Sequence, residues 1–264
     1  VNMSSATAIE GRRLAATVLM LRDSVDGIEV YVQERVSSMP TFPNTTVFPG
    51  GGVDPRDFLL DPRSDPVLGD SLQAWAKALH VDEAQAQALL FAAVRELFEE
   101  TGTFLVAFSN GKRIGSAAPF HRERLMLESH QMSLGEVLED HDLKIRTDLL
   151  RPFARWHSPE YDKHQFDVFS FVAVQPPGQE PDGNTPEAAS TGWFAPSLVL
   201  DGWRAGLLRL VLPTWAQLKA LSNFDCVQDV LESLKTPSMS PMSEHLAGGD
   251  YFEEFMTFEP PKRF

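Results

Sequence analysis

RELFEETG, residues 95–102, places three glutamates, Glu96, Glu99 and Glu100, within five positions. Residues three and four apart share a helix face, so these carboxylates repel by roughly a few tenths of a kcal/mol per exposed pair. Glu99 and Glu100 also fall in the last turn before Gly102, where the negative end of the helix dipole disfavours a carboxylate by about 0.3–1 kcal/mol. Arg95, four residues before Glu99, offsets part of this. Local stability thus argues against the arrangement. Such a stretch reads either as a solvated acidic face or as a functional site that overrides local rules. In the second case, grouped carboxylate oxygens suit a hard cation, Mg²⁺ or Mn²⁺, held with water and substrate phosphates.

Asp82 reads as the N-cap of a long helix, EAQAQALLFAAVRELFEET, with Leu90, Val94, Leu97 and Thr101 as its inward stripe and Gly102 as a left-handed cap. Upstream, FPGGGVDPRD puts a glycine turn directly after a short strand, TVF. Earlier still, LAATVLML (14–21) and IEVYVQERV (28–36) read as strands joined by a hairpin at Asp26-Gly27. In the second strand Ile28, Val30 and Val32 alternate with Glu29, Tyr31 and Gln33, as in a half-buried strand. Residues 54–69 are proline-punctuated and irregular, and a helix follows from Ser71 with Leu72, Trp75 and Leu79 on one face. Helical pieces recur near 120–127 and 134–140. Strand character returns at LRPFARWHSP, FDVFSFVAV (166–174) and EAASTGWFAP, and helices follow near 198–203, in TWAQLKALSNF and in VQDVLESL. This order predicts a single mixed α/β domain with a decorated C-terminus, loop-like over residues 236–250 and mixing aromatics with acids beyond.

The 264 residues are 43% hydrophobic and 23% charged, enough for a sizeable core. A formal net charge of −14 argues against nucleic acid or an anionic membrane as the main partner. A small phosphorylated substrate remains compatible, because a bound divalent cation reverses the local sign. The single cysteine, Cys226, leaves no intrachain disulfide or Cys-based zinc site and reads as a small buried helix residue. No stretch approaches the ~18 apolar residues of a membrane span, and the N-terminus lacks a signal core, so a cytoplasmic protein is expected.

Together, FPGGGVDPRD and RELFEETG resemble the Nudix box, in which a glycine, five residues and an acid are followed by R-E-aliphatic-x-E-E-x-G. Gly51 and Asp57 match the first half and residues 95–102 the second. Thr103 stands where an aliphatic residue is usual. The spacing departs: 37 residues separate Asp57 from Arg95 where the family pattern has seven. That excess resembles an expanded-box branch whose members hydrolyse coenzyme A and acyl-CoA. Partial matches include TTVFPGGGVDP, the strand containing Phe166-Asp167, Trp193-Phe194-Ala195-Pro196 and LPTWAQLKALSNF. Where that branch often has an arginine pair, this chain has Lys163-His164-Gln165.

The resemblance implies an α/β Nudix fold, a mixed sheet sandwiched between helices, with about 30 residues inserted in the box and a helical C-terminal extension. The expected organisation is one Nudix domain over 1–235, its insertion about 58–82, and a tail over 236–264 packed on the domain or a partner. The implied activity is Mg²⁺- or Mn²⁺-dependent hydrolysis of a nucleoside-diphosphate-linked small molecule, with homodimerisation compatible. Glu96, Glu99 and Glu100 are the implied metal-facing carboxylates, joined by Gly51 and by Glu187 as a fourth acid, with Glu160 as the alternative. Arg95 is expected to orient a box carboxylate, supported by Asp57, Gly50 and Gly102. Arg35, Lys163 and His164 are the expected phosphate contacts. The general base is open among Glu96, Glu100, Glu187 and His157, and Phe42, Trp156 and Tyr161 are stacking candidates. A Nudix-fold module that binds a nucleotide without cleaving it is the competing reading.

Overall fold

The alternation in residues 14–36 becomes a pair of long strands from which the rest of the sheet is built. The computed structural model describes residues 7–39, 42–58, 65–160, 164–243 and 249–260. In chain order the first elements are β1 (Ala8–Ile9), β2 (Arg12–Ser24), β3 (Gly27–Arg35), β4 (Thr46–Val47) and β5 (Gly50–Gly52). There follow β6 (Val67–Leu68), α1 (Leu72–Leu79), α2 (Glu83–Thr101), β7 (Val106–Phe108), α3 (His121–Glu128) and α4 (Leu134–Asp140). Next come β8 (Leu143–Arg146), β9 (Leu150–His157), β10 (Phe166–Val174) and β11 (Ala188–Phe194). Among the described residues four helices follow: α5 (Pro196–Arg204), α6 (Leu212–Leu221), α7 (Val227–Ser233) and α8 (Asp250–Met256).

The main sheet runs β11-β3-β2-β10-β9, with only β2 and β10 parallel along that path. β2 is long enough to serve two partners on one edge. Its end, Leu21–Ser24, pairs with β3, while Ala15, Ala16 and Thr17 pair with the glycines of β5. The sheet is covered on both faces. Leu14, Ala16, Val18 and Met20 pack with α1 and α2, whereas Leu19 and Leu21 pack with α5, α6 and α7. The tail joins the second layer: Phe255 stacks on Trp203 at 5.6 Å and Tyr251 meets Trp215 edge-on at 6.2 Å. This is the mixed sheet between helices that the resemblance implied.

Burial on both faces changes two expectations. Tyr31 and Gln33, expected on a solvated face of β3, are 2% exposed. α2 has no single inward stripe: it is buried continuously from Ala86 to Arg95, because α1, the sheet and a second sheet surround it. That second sheet, β6-β8-β7, has no counterpart among the elements expected from sequence. Its strands span two to four residues, too short for a period-2 pattern to emerge. Cys226 is not inside a helix; it is half-buried at the N-cap of α7. No helix among the described residues is long and apolar enough to cross a membrane.

Candidate active site

The site begins where β5 passes beneath α2. Pairing with β2 fixes the glycine turn, and the helix lies directly on it. A β-carbon on Gly51 would run into the Glu96 carboxylate, and one on Gly50 into the backbone of Ala16 and Thr17. Glycine is what lets the helix sit this close. The helix itself is framed by an Asp82 capping box with Gln85 and by Gly102 at φ +72°.

Arg95, 5% exposed, organises the junction. Its Nε and Nη2 donate to the two oxygens of Asp57 at 2.9 and 3.0 Å, and Nη2 also to the Gly52 carbonyl at 3.0 Å. Nη1 reaches Glu96 at 2.7 Å and Glu99 at 3.4 Å. Burial works to lower the Arg95 pKa, but Glu96, Asp57 and Glu99 outweigh it and hold the guanidinium protonated. Asp57 is fixed from behind. It closes a short 3-10 turn, its Oδ2 accepts from the Asp54 N–H at 2.8 Å, and its carbonyl accepts from Gln87. Asp54 is in turn forked onto Arg56 at 2.9 Å through both oxygens, which holds its carboxyl down at about 2. The two halves of the box thus meet across the long gap in sequence.

Glu100, 4% exposed, presents Oε2 to the Gln33 side chain at 2.6 Å and to the Gly50 N–H at 3.3 Å. Burial, then the charges of Glu96 and Glu187, push its pKa well above the usual carboxylate range. Burial also raises Glu96 against the pull of Arg95, and raises Glu99 to about 7 with Glu96 reinforcing. Glu96, Glu99, Glu100 and Glu187 line one cavity of about 400 Å³, with Leu125 and Glu128 from α3 beside them. No group of three or more His, Cys, Asp and Glu among the described residues forms a metal cage; Glu96 and Glu100 each engage protein donors. Five carboxylates line this cavity, Glu128 included, and four of them have raised proton affinity; this is nevertheless the donor chemistry of a hard divalent cation.

Arg35 stands beside this cavity, 3.7 Å from Glu187. His164 is exposed and does not line it, and Lys163 and Tyr161 lie outside the described residues. Glu160 is exposed and engaged through its carbonyl. His157 faces Asp167 at 3.5 Å and is also away from the cavity lining. Trp156 is not placed for stacking: it is 2% exposed and packs with α5–α7, on the opposite face of the sheet from Glu96 and Glu100. Phe42 is exposed and does not line the cavity. Gln33 escapes a sequence reading because its position in the alternation reads as outward. Arg124, on α3, carries no motif that would single it out.

No family model matches the chain, and no curated protein does. Among solved structures, a Nudix hydrolase from Alicyclobacillus acidocaldarius is 27% identical, covering 88% of this chain and 100% of its own, with a TM-score of 0.70. Two others overlay too loosely to carry an argument. The Nudix domain of Shewanella oneidensis NrtR, complexed with ADP ribose, has a TM-score of 0.40 at 11% identity, over 80% of this chain and 86% of that one. A C. elegans Ap4A hydrolase has 0.38 at 13%, over 80% and 95%. The Alicyclobacillus likeness supports the Nudix hydrolase superfamily and an α/β Nudix fold for this chain, without selecting the coenzyme A branch.

Proposed function

We propose that this Nudix-fold chain is a metal-dependent hydrolase that cleaves the diphosphate bridge of a nucleoside diphosphate joined to a second group, coenzyme A or acyl-CoA being favoured. The observation that carries this reading is the convergence of Glu96, Glu99, Glu100 and Glu187 on one cavity. Those carboxylates, with the Gly51 backbone, would hold Mg²⁺ or Mn²⁺, which when bound neutralises the diphosphate charge and makes water more acidic.

The chain's own residues set the geometry. Arg95, locked by Asp57, holds Glu96 and Glu99 in place. Gln33 and the Gly50 N–H fix Glu100. One cavity carboxylate, Glu96, Glu100 or Glu187, takes the proton of the attacking water. Arg35, 3.7 Å from Glu187, meets the phosphates, with Lys163 and His164 carried as further phosphate contacts from the sequence reading alone. Gly102 lets α2 end immediately after these carboxylates.

The coenzyme A preference rests on the expanded box spacing and the segments around Phe166 and Trp193. Lys163-His164-Gln165 keeps ADP-ribose- or NADH-type substrates in contention. Retention of Arg95, Glu96, Glu99 and Glu100 favours catalysis over a binding module. A Nudix domain over 1–235 with a packed tail, a cytoplasmic setting and a homodimer belong to the same reading.

The test is a panel of CoA, acyl-CoA, ADP-ribose, NADH and diadenosine polyphosphates with Mg²⁺ or Mn²⁺, products resolved by chromatography. Release of 3′,5′-ADP from CoA is the expected result. Turnover of ADP-ribose alone would remove the coenzyme A preference, and no turnover at all would favour the binding module.

A further inference from the structure

Arg124 lies on α3, outside both halves of the box, yet it is 3% exposed. Its Nε donates to the Glu99 carbonyl at 3.0 Å, at the end of α2. Its Nη1 and Nη2 fork onto Asp182 at 2.6 and 3.1 Å, and Nη2 also donates to the Asn184 carbonyl at 3.1 Å. The Asp182 N–H returns to the Thr101 carbonyl at 2.9 Å. One guanidinium therefore joins three segments: α3, the turn of α2 that carries Glu99 and Glu100, and the loop that leads to Glu187. The pair lies over Gly102, where a β-carbon would meet Arg124 Nη1 at 2.9 Å and Asp182 Oδ2 at 3.0 Å. Gly102 is thus needed for this close approach as well as for its left-handed φ.

We infer that Arg124 is a positioning residue for the carboxylate site, clamping the Glu187 loop to the end of α2 so that Glu187 faces Glu99 and Glu100. The inference rests on the proposed function. Its chemistry is that of a planar donor satisfying carbonyls and a carboxylate at once, which Lys cannot reproduce. The carbonyls at the C-terminal end of a helix lack internal partners, and Arg124 supplies one of them while neutralising the negative end of the dipole. α3 becomes part of the active-site wall, consistent with Leu125 and Glu128 lining the same cavity.

The experiment measures Mn²⁺ binding by the electron paramagnetic resonance signal of free Mn²⁺, without substrate, in the parent, Arg124→Lys and Asp182→Asn. Asp182 is half-exposed, so its variant tests the clamp even where Arg124→Lys folds poorly. Arg155→Lys is the control: it breaks another buried fork, onto Asp167 at 2.8 and 2.6 Å, away from the cavity lining. Expected are dissociation constants raised about tenfold or more in Arg124→Lys and Asp182→Asn, with Arg155→Lys unchanged. Parent-like Mn²⁺ binding in both clamp variants, or an equal loss in Arg155→Lys, would overturn the positioning role alone. A parent that binds no Mn²⁺ would overturn the metal site and the clamp's role with it.

Discussion

Asp57 and Arg95, 38 positions apart, form a forked and almost fully buried ion pair at 2.9 and 3.0 Å. The pair closes the box across its expanded spacing, and Arg95 passes that constraint on to Glu96 and Glu99. Asp57→Ala leaves a buried guanidinium without its forked partner. Such a loss typically destabilises by about 3–5 kcal/mol, and the lower end is expected here because Glu96 and Glu99 still face Arg95. Urea unfolding of parent and variant measures it; a change within about 0.5 kcal/mol would contradict the assigned pairing.

Gly50 and Gly51 are neighbours with different duties. A β-carbon on Gly51 meets the far end of a side chain, Glu96, which can swing away. Gly51→Ala should therefore keep its melting temperature within a few degrees and raise the Mn²⁺ dissociation constant about tenfold or more. A β-carbon on Gly50 meets the backbone of β2, which cannot swing away. Gly50→Ala is expected to destabilise by about 1–3 kcal/mol. Thermal melts and Mn²⁺ titrations of the two variants side by side separate these outcomes.

Gln33 donates to Glu100 at 2.6 Å, while its own Oε1 is buried without a hydrogen-bond partner. Gln33→Leu removes the donor and the orphaned acceptor together. Stability should change by less than about 1 kcal/mol. Mn²⁺ affinity should fall about tenfold, because Glu100 loses the contact that fixes its rotamer. Urea unfolding checks the stability, and calorimetric Mn²⁺ titration of the folded protein checks the affinity.

Asp54, held at about 2 by Arg56, makes one stretch of acid sensitivity assignable. Its folded pKa lies below the unfolded value of 3.8, so its contribution is present above about pH 4 and is lost as pH falls towards 2. The carboxyl is partly solvated, which keeps the effect below about 1 kcal/mol. Asp54→Asn should flatten that part of the stability curve, as followed by denaturation between pH 2 and 5. A parent and variant that lose stability in parallel over this range would remove Asp54 as a cause.

Local signals make much of the site legible in the sequence. The caps of α2, Asp82 and Gly102, are chemical punctuation, and both stand where expected. The crowding of Glu96, Glu99 and Glu100 is a one-dimensional fact that their shared cavity repeats in three dimensions. Gln33 and Arg124 are not legible in this way, because their importance comes from segments far away in sequence. The alternation of β3 says which residues share a face, not whether a second layer covers the other. α2 outruns a stripe reading for the same reason: Leu90, Val94, Leu97 and Thr101 are buried as expected, but so is every residue from Ala86 to Arg95. The three-stranded second sheet escapes because each strand is too short to carry a period.

The central claim is that Glu100 and its neighbours hold a divalent cation for diphosphate hydrolysis. It is tested most directly by Glu100→Gln, which removes the charge and keeps the shape. Turnover of the best substrate of the panel is measured at saturating Mg²⁺, with folding checked by thermal melt. The account predicts a folded variant with turnover reduced about 100-fold or more, close to the loss expected when an essential charge stabiliser is removed. A folded Glu100→Gln protein with parental turnover would contradict it.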